Sequence, residues 1–380
     1  MIHVFIVGSK GIPAQYGGFE TFVENLTAGK QSNQIKYHVS CMNNDEKHFK
    51  YNGADCFNVR VPLPGAPGRI FHVGLVLEQV ENWAKANPDE QVIVCILGCR
   101  IGPLLIPHAH KLHKLGAKVF CNPDGLEWKR SKWSKPEKAF LRYCEKCLVK
   151  YSDLSICDSV NIEKYIQDTY GVQTTFIAYG AYTDRAQCSE EKLQEWYRQF
   201  DVTAGDYYLI VGRFVPENNY ETMIREFMAS KTKKDLVIIT NVEHNKFYDT
   251  LAQQTGFAKD KRVKFVGTVY DQDLLKKIRE EAYGYLHGHE VGGTNPSLLE
   301  ALASTRLNLL LGVGFNKEVG EDSALYWSKD SGNLAALLEQ ADALDADTIA
   351  MLDKKSTERV RDAYSWKKIV SEYEKTFLEG

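Results

Sequence analysis

The chain has 380 residues, and 47 Lys and Arg against 50 Asp and Glu give a formal net charge of −3. Apolar residues make up 44% and charged residues 26%, the balance of a soluble globular protein with two domains at this length. These figures exclude disordered, collagen-like and disulfide-scaffold classes, and a near-neutral total argues against dominant nucleic-acid binding, which needs a basic surplus.

The N-terminal run Met1-Ile-His-Val-Phe-Ile-Val-Gly8 has no basic n-region and no long h-region, so it does not read as a signal peptide. It reads as a first buried strand, at 2–7. Further β-like apolar runs follow at 36–41, 56–61, 92–97, 118–121, 154–157 and 175–178. Amphipathic, helix-like stretches separate them at 18–28, 69–86, 135–151 and 160–170. Continuous apolar strands alternating with helices signal βαβ units around a parallel sheet. A polar stretch rich in Gln and Glu, 184–205, reads as a connection. The pattern then restarts, with strands at 207–211, 236–240, 263–266, 283–287 and 307–311. Helices are predicted at 219–229, 245–255, 271–281 and 296–304. The expected class is therefore α/β, with two facing Rossmann-like doubly wound domains at 1–185 and 186–364 and a cleft between them. In such sheets ligands bind outside the C-terminal strand ends, next to helix N-termini. No apolar run approaches the roughly 18–20 residues that span a bilayer, and a cytoplasmic protein is expected. All nine Cys lie at or before Cys188, and free, buried thiols are expected for them. Cys144-Glu-Lys-Cys147 is a lone CxxC in a helical pattern. His108, His110 and His113 match no common zinc spacing, so no metal site is expected.

Four strand-end segments carry the chemistry. Val7-Gly-Ser-Lys-Gly-Ile-Pro-Ala-Gln-Tyr-Gly-Gly-Phe-Glu20 follows the first strand and opens a helix at Gly17-Gly18, where free N–H groups favour an anion. Lys10 stands where a dinucleotide fingerprint needs glycine, and no Walker lysine follows. Cys121-Asn-Pro-Asp-Gly-Leu-Glu-Trp-Lys-Arg-Ser-Lys-Trp-Ser-Lys135 offers Asp124 or Glu127 as a general base. Its Lys129, Arg130, Lys132 and Lys135, with Trp128 and Trp133, suit a phosphorylated or membrane-interface ligand. Asp158 is a further strand-end carboxylate, with helix capping as its plainer role. Arg213, in Ile210-Val-Gly-Arg-Phe-Val-Pro-Glu-Asn-Asn219, can bind a diphosphate bidentately. The last segment is His287-Gly-His-Glu-Val-Gly-Gly-Thr-Asn-Pro-Ser-Leu-Leu-Glu-Ala-Leu302. It combines Gly292 and Gly293 with Thr294 or Asn295 as helix cap and Pro296 at the first helical position.

Together these segments resemble the GT-B glycosyltransferases, specifically the retaining family 4. Gly212-Arg-Phe-Val-Pro-Glu, Val263-Lys-Phe-Val-Gly-Thr-Val and Gly292-Gly-Thr-Asn-Pro-Ser-Leu-Leu-Glu-Ala-Leu carry the likeness. The first loop and Asn122-Pro-Asp-Gly-Leu-Glu-Trp-Lys-Arg-Ser-Lys-Trp look like the bacterial rhamnosyltransferases of streptococcal-type capsule and cell-wall polysaccharide assembly. The resemblance implies a nucleotide-sugar donor, with Arg213 on the diphosphate and Gly292, Gly293, Thr294 and Asn295 offering donor contacts. It places Glu300 on the ribose and 266–270 beside the base, with Gly17 and Gly18 closing on the donor. Asp124, Asp158 and Arg213 are the implied catalytic groups, and Lys129, Arg130, Lys132 and Trp133 lie on the acceptor and lipid side. The implied reaction moves rhamnose from TDP-β-L-rhamnose to the 4-hydroxyl of glucose or GlcNAc on an undecaprenyl-diphosphate carrier. It implies peripheral contact with the inner face of the membrane, no nucleic acid, no cofactor and no metal, and no DxD-type site appears near these motifs. It also implies that the tail, about 365–380, crosses back onto the first domain. Two positions depart from the pattern. Asn218 stands where the family usually has Lys, with Lys10 or Lys129 as compensating cation. Gly292 stands where the first of the family's paired glutamates falls, with Glu290 two residues early. A UDP-glucose or UDP-GlcNAc transferase and a non-catalytic sugar-nucleotide-binding scaffold are the other readings.

Overall fold

A computed structural model of the chain describes every residue except Tyr16, Pro62, Pro64 and Glu243. Tyr16 belongs to the first glycine-rich loop, and that position of the motif lies outside the described residues. The chain forms two compact units: Met1–Gly180 with Trp366–Gly380, and Ala181–Ser365.

The first unit holds β1 (Ile2–Val7), β2 (Ile35–Met42), β3 (His48–Tyr51), β4 (Ala54–Val59), β5 (Gln91–Leu97), β6 (Lys118–Asn122), β7 (Leu154–Cys157) and β8 (Thr174–Phe176). Their order is β3-β4-β2-β1-β5-β6-β7-β8. All pairs are parallel except β3 with β4. The central strands are apolar throughout because both faces are covered. Four helices, α2 (Gly65–Ala86), α3 (Leu105–Lys114), α4 (Lys135–Tyr151) and α5 (Val160–Tyr170), supply residues to one core with Val7, Val94 and Ile96. On α1 (Gly18–Ala28), Phe22 packs with its ring centroid 4.9 Å from that of Tyr373, which lies on α14 (Trp366–Glu379). Glu374, on the same helix, accepts from the backbone N–H of Gln31 and Ser32 at 3.0 and 2.8 Å, so the tail is fastened to the first unit.

The second unit has β9 (Tyr207–Val211), β10 (Asp235–Ile239), β11 (Val263–Gly267), β12 (Gly284–His287), β13 (Asn308–Leu311) and β14 (Leu325–Trp327). The order is β11-β10-β9-β12-β13-β14, all parallel. Around this sheet run α6 (Glu190–Phe200), α7 (Tyr220–Ala229), α8 (Lys246–Thr255), α9 (Gln272–Glu281), α10 (Pro296–Ser304), α11 (Gly314–Gly320), α12 (Asn333–Asp342) and α13 (Ala346–Ala363).

The structure differs from the sequence expectation at several elements. The stretch 184–205, expected to be a polar connection, contains α6. Its Leu193, Trp196 and Tyr197 are spaced for one helical face and are buried against Tyr207 and Leu209. Strand β3 was not anticipated. It turns into β4 through Asn52-Gly53, whose φ of 49° and 73° fit the two-residue hairpin turn that this dipeptide favours. The segment with His108, His110 and His113 forms α3, where His108 meets the buried Glu81 of α2 at 2.5 Å. Eight of the nine cysteines are buried and Cys188 is partly exposed. Among the described residues no helix is long and apolar enough to cross a membrane.

Candidate functional site

Each sheet reverses its strand order once, between β1 and β5 and between β9 and β12. The crevice at the C-terminal ends of the strands beside such a reversal is where doubly wound sheets take ligands. In the second unit Gly212 and Arg213 leave β9 at that point. A Cβ on Gly212 would stand 3.0 Å from Cε1 of His289 and 3.4 Å from Nδ2 of Asn218, so the position needs glycine for close packing. Asn218 is buried, and its amide donates to the Arg213 carbonyl at 2.8 Å, which fixes the turn. The Arg213 side chain is exposed and makes no ion pair among the described residues.

The N-terminus of α10 is brought to the same place by hydroxyl contacts. Tyr285 and Ser297 both donate to the Val211 carbonyl at 3.0 Å and lie 2.9 Å from each other. Asn295 is the helix cap: its side chain accepts from the N–H groups of Ser297 and Leu298 at 2.9 and 3.3 Å. Two helix-terminal donors are thus already used, which leaves the preceding loop and the helix dipole to face a ligand. Within that loop Thr294 and Gly293 are buried. Gly292 has φ 142° with nothing within 4 Å of a would-be Cβ, so it is open space in a conformation that favours glycine. Glu300 is not simply solvated. Its carboxylate lies 2.6 Å from a guanidinium nitrogen of the buried Arg279. Glu290 is held by Lys329 at 2.5 Å and by the Asn219 amide at 3.3 Å. Next to it, His287 and His289 stack with ring centroids 4.3 Å apart. Burial and the neighbouring His289 hold His287 well below the usual histidine range, so its ring is neutral.

In the first unit, Asp124 leaves β6 with φ 66° and its N–H donates to the Asn122 side chain at 2.9 Å. Asp158 leaves β7 and is buried; the cap of α5 is Ser159, not Asp158. The buried hydroxyl of Tyr179 is pushed well up, first by burial and then by the charges of Asp158 and Asp124. Among the described residues no group of three His, Cys, Asp or Glu side chains is arranged to hold a metal ion.

The first unit matches the model of a domain of unknown function, DUF1972, over residues 1–182. No curated protein matches the chain with significant similarity. Solved structures do. HepE of Anabaena, in complex with UDP and glucose, is similar at TM-score 0.75 with 13% identity over 100% of both chains. Sucrose-phosphate synthase of Thermosynechococcus elongatus gives 0.74 at 15% identity, covering 100% of this chain and 98% of that one. A glycosyltransferase of Rickettsia africae gives 0.74 at 14%, with 100% and 98% covered. The chain has the GT-B fold.

For a GT-B chain the loop 122–135 is the least expected part. The sequence offers Glu127 as a candidate base, and Arg130, Lys132 and Trp133 as groups facing a ligand. Instead Glu127, 4% exposed, gathers them. Arg130 lies at 2.6 Å, Arg100 at 2.9 Å and Lys132 at 3.0 Å, and the Trp133 indole donates at 3.2 Å. Burial pushes the Glu127 carboxyl up, but Arg130, Lys132 and Arg100 outweigh it and hold the group below its ordinary value. A carboxylate so held is a poor proton acceptor, which leaves Asp124 and Asp158 as the remaining candidates. Lys129 stays exposed, with its ammonium 5.5 Å from the Trp128 ring centre.

The first glycine loop is strapped to its own helix. Glu20 accepts from the Lys10 N–H at 2.8 Å, and Glu24 accepts from the Ala14 N–H. Gly17 has φ 135°, and a Cβ there would lie 1.9 Å from a Glu20 carboxylate oxygen. Glu20 thus sits over Gly17, while Gly18 has nothing within 4 Å. Gly17→Ala is expected to cost about 1–3 kcal/mol through strain and displacement of Glu20, lowering Tm by roughly 3–9 °C. Gly18→Ala, at a helical position that favours alanine, should leave Tm within about 2 °C. Equal melting of the two variants would remove this account of the loop. Sequence reasoning missed Glu20, His289 and Arg279, because each meets its partner only through the fold.

Proposed function

We propose that this chain is a retaining glycosyltransferase that moves L-rhamnose from TDP-β-L-rhamnose to the 4-hydroxyl of glucose or GlcNAc on an undecaprenyl-diphosphate carrier. The reaction would serve cell-surface polysaccharide synthesis at the inner face of the membrane. The GT-B fold and the segments quoted above support the class. The observation that carries the reading is the exposed Arg213 guanidinium at the β9 end, beside the N-terminus of α10 and with no ion pair among the described residues. Such an arrangement suits a diphosphate, whose charge grows as the glycosidic bond breaks.

In the reaction the anomeric C–O bond to the diphosphate breaks and a bond to the acceptor oxygen forms on the same face. The acceptor proton passes to the departing diphosphate oxygen. Arg213 and the α10 dipole stabilise the developing negative charge. Gly292, Gly293 and Thr294 line the donor loop, and Glu300, already oriented by Arg279, accepts from ribose hydroxyls. Asp124 and Asp158 are assigned to orienting and polarising the acceptor hydroxyl. The Asn variants Asp124→Asn and Asp158→Asn are expected to lower kcat by about 10²-fold while donor Kd changes little. Wild-type turnover in both would remove these acids from the mechanism.

A UDP-sugar donor is the second reading, favoured by the HepE complex with UDP and glucose. One experiment separates the readings. Purified protein is incubated with lipid-diphosphate glucose or GlcNAc and each of TDP-rhamnose, UDP-glucose and UDP-GlcNAc, and the product linkage is identified. Intact TDP-rhamnose beside a consumed UDP-sugar ends the rhamnose reading, and no consumption of any donor favours a non-catalytic scaffold.

A further inference from the structure

The first unit carries a surface that the sugar-transfer chemistry does not use. Residues 100–151 hold twelve Lys and Arg against four Asp and Glu, a surplus of eight in a chain whose total is −3. Two of those acids are withdrawn from the surface. Glu127 is enclosed by its three cations, and the buried Glu145 accepts from the Tyr165 and Tyr170 hydroxyls at 2.6 and 2.7 Å. A third, Glu137, closes the capping box of α4 on Ser134.

The surplus is displayed on α4. At 100° per residue, Lys135, Arg142, Lys146 and Lys150 fall within an arc of about 80°. All four are exposed, and none has a carboxylate in salt-bridge range among the described residues. Beside them on the same helix stand Phe140, 52% exposed, and Tyr143, 50% exposed, while Leu141, Cys144 and Leu148 point into the core. The turn Cys99–Leu104 packs against α4, and its Leu104 is 52% exposed.

Cations alone would suit any polyanion. Large rings flanking them, with Tyr143 about 20° and Phe140 about 80° beyond the edge of the cation arc at 100° per residue, suit a bilayer surface better. There the rings sit at headgroup depth, and the lysine stems lie along the apolar layer with their ammonium groups on phosphates. We infer that the outward face of α4 docks the protein on an anionic lipid bilayer. The contact thus moves from the loop 129–135, whose Arg130 and Lys132 are held by Glu127, to the helix that follows. This inference deepens the lipid-carrier reading and rests on it for its purpose, but the surface is tested separately.

The full chain is floated at low salt with vesicles of phosphatidylglycerol mixed with phosphatidylcholine, and with phosphatidylcholine alone. Binding only to the anionic vesicles is expected. The combined variant Lys146→Gln, Lys150→Gln should weaken it by about 25-fold, at about fivefold per cation. Phe140→Ser with Tyr143→Ser should weaken it by roughly tenfold. Both variants should transfer sugar normally to a short-chain, water-soluble lipid-diphosphate acceptor, which also shows that they fold. Unchanged flotation of both variants, or equal binding to phosphatidylcholine alone, overturns the inference. Loss in the lysine variant with wild-type binding in the aromatic variant overturns it too, and points to a nucleic acid or acidic protein instead. Normal vesicle binding by a chain that transfers no sugar at all sinks the proposed function and leaves the docking face standing.

Discussion

Arg213→Ala is expected to lower kcat by about 10²–10³-fold, the usual loss when one preorganised donor to a developing anion is removed. Three features set that magnitude. The guanidinium has no acid of its own chain to neutralise it among the described residues. The Asn218 amide and the close approach of Gly212 to His289 hold the turn that presents it. The diphosphate gains charge as it leaves, so the contact is worth more in the transition state than in the bound donor, and kcat should fall more than KM rises. Arg213→Lys keeps the charge but loses the two-pronged geometry, and an intermediate loss of about tenfold is expected. Initial rates with the active nucleotide sugar and its lipid-diphosphate acceptor decide the matter. Unchanged kcat in Arg213→Ala would remove this residue from the site.

Glu127→Ala is expected to have the largest effect on stability. It removes one buried carboxylate and leaves Arg100, Arg130 and Lys132 facing one another. Breaking a buried ion cluster from one side costs about 3–5 kcal/mol. Because the Lys132 side chain is 47% exposed and can turn to water, the lower end, about 3 kcal/mol, is expected, or a fall in Tm of roughly 6–12 °C. The sign of the pH dependence follows from the lowered carboxyl. Its contribution is present above the unfolded glutamate value, about 4.3, and is lost as pH falls through the lower folded value. The gap in Tm between wild type and Glu127→Gln should therefore be widest near neutral pH and shrink below about pH 4. A gap that stays constant down to pH 3 would show that the cations around Glu127 do not stabilise the fold.

Much of the fold was legible because its signals are local. Ile2–Val7, Gln91–Leu97 and Tyr207–Val211 are apolar at almost every position, as strands covered on both faces must be. Helices α4, α5 and α10 carry their own stops and starts: the capping box at Ser134, the left-handed Gly171, and Asn295 before Pro296. Where those signals conflict with composition, the reading failed. Helix α6 buries only Leu193, Trp196 and Tyr197 among Gln, Glu, Lys and Arg, so polarity outweighed the spacing of three apolar positions. The Asn52-Gly53 turn was present in the sequence, but the β3 strand before it is short and half-exposed, with no apolar run to mark it.

The order of residues along the chain set the strand-end loops and the helix starts, since a glycine, a capping side chain or a proline acts on its own few residues of backbone. It also determined that the basic residues of 100–151 are concentrated there, since charge is a sum over positions. Which charges remain available depends on the folded arrangement. Arg100 meets Glu127 across 27 residues of chain and Arg279 meets Glu300 across 21, whereas Arg213 meets no carboxylate among the described residues. Coulomb energy and desolvation depend on distance and burial in space, and neither quantity is set by distance along the chain.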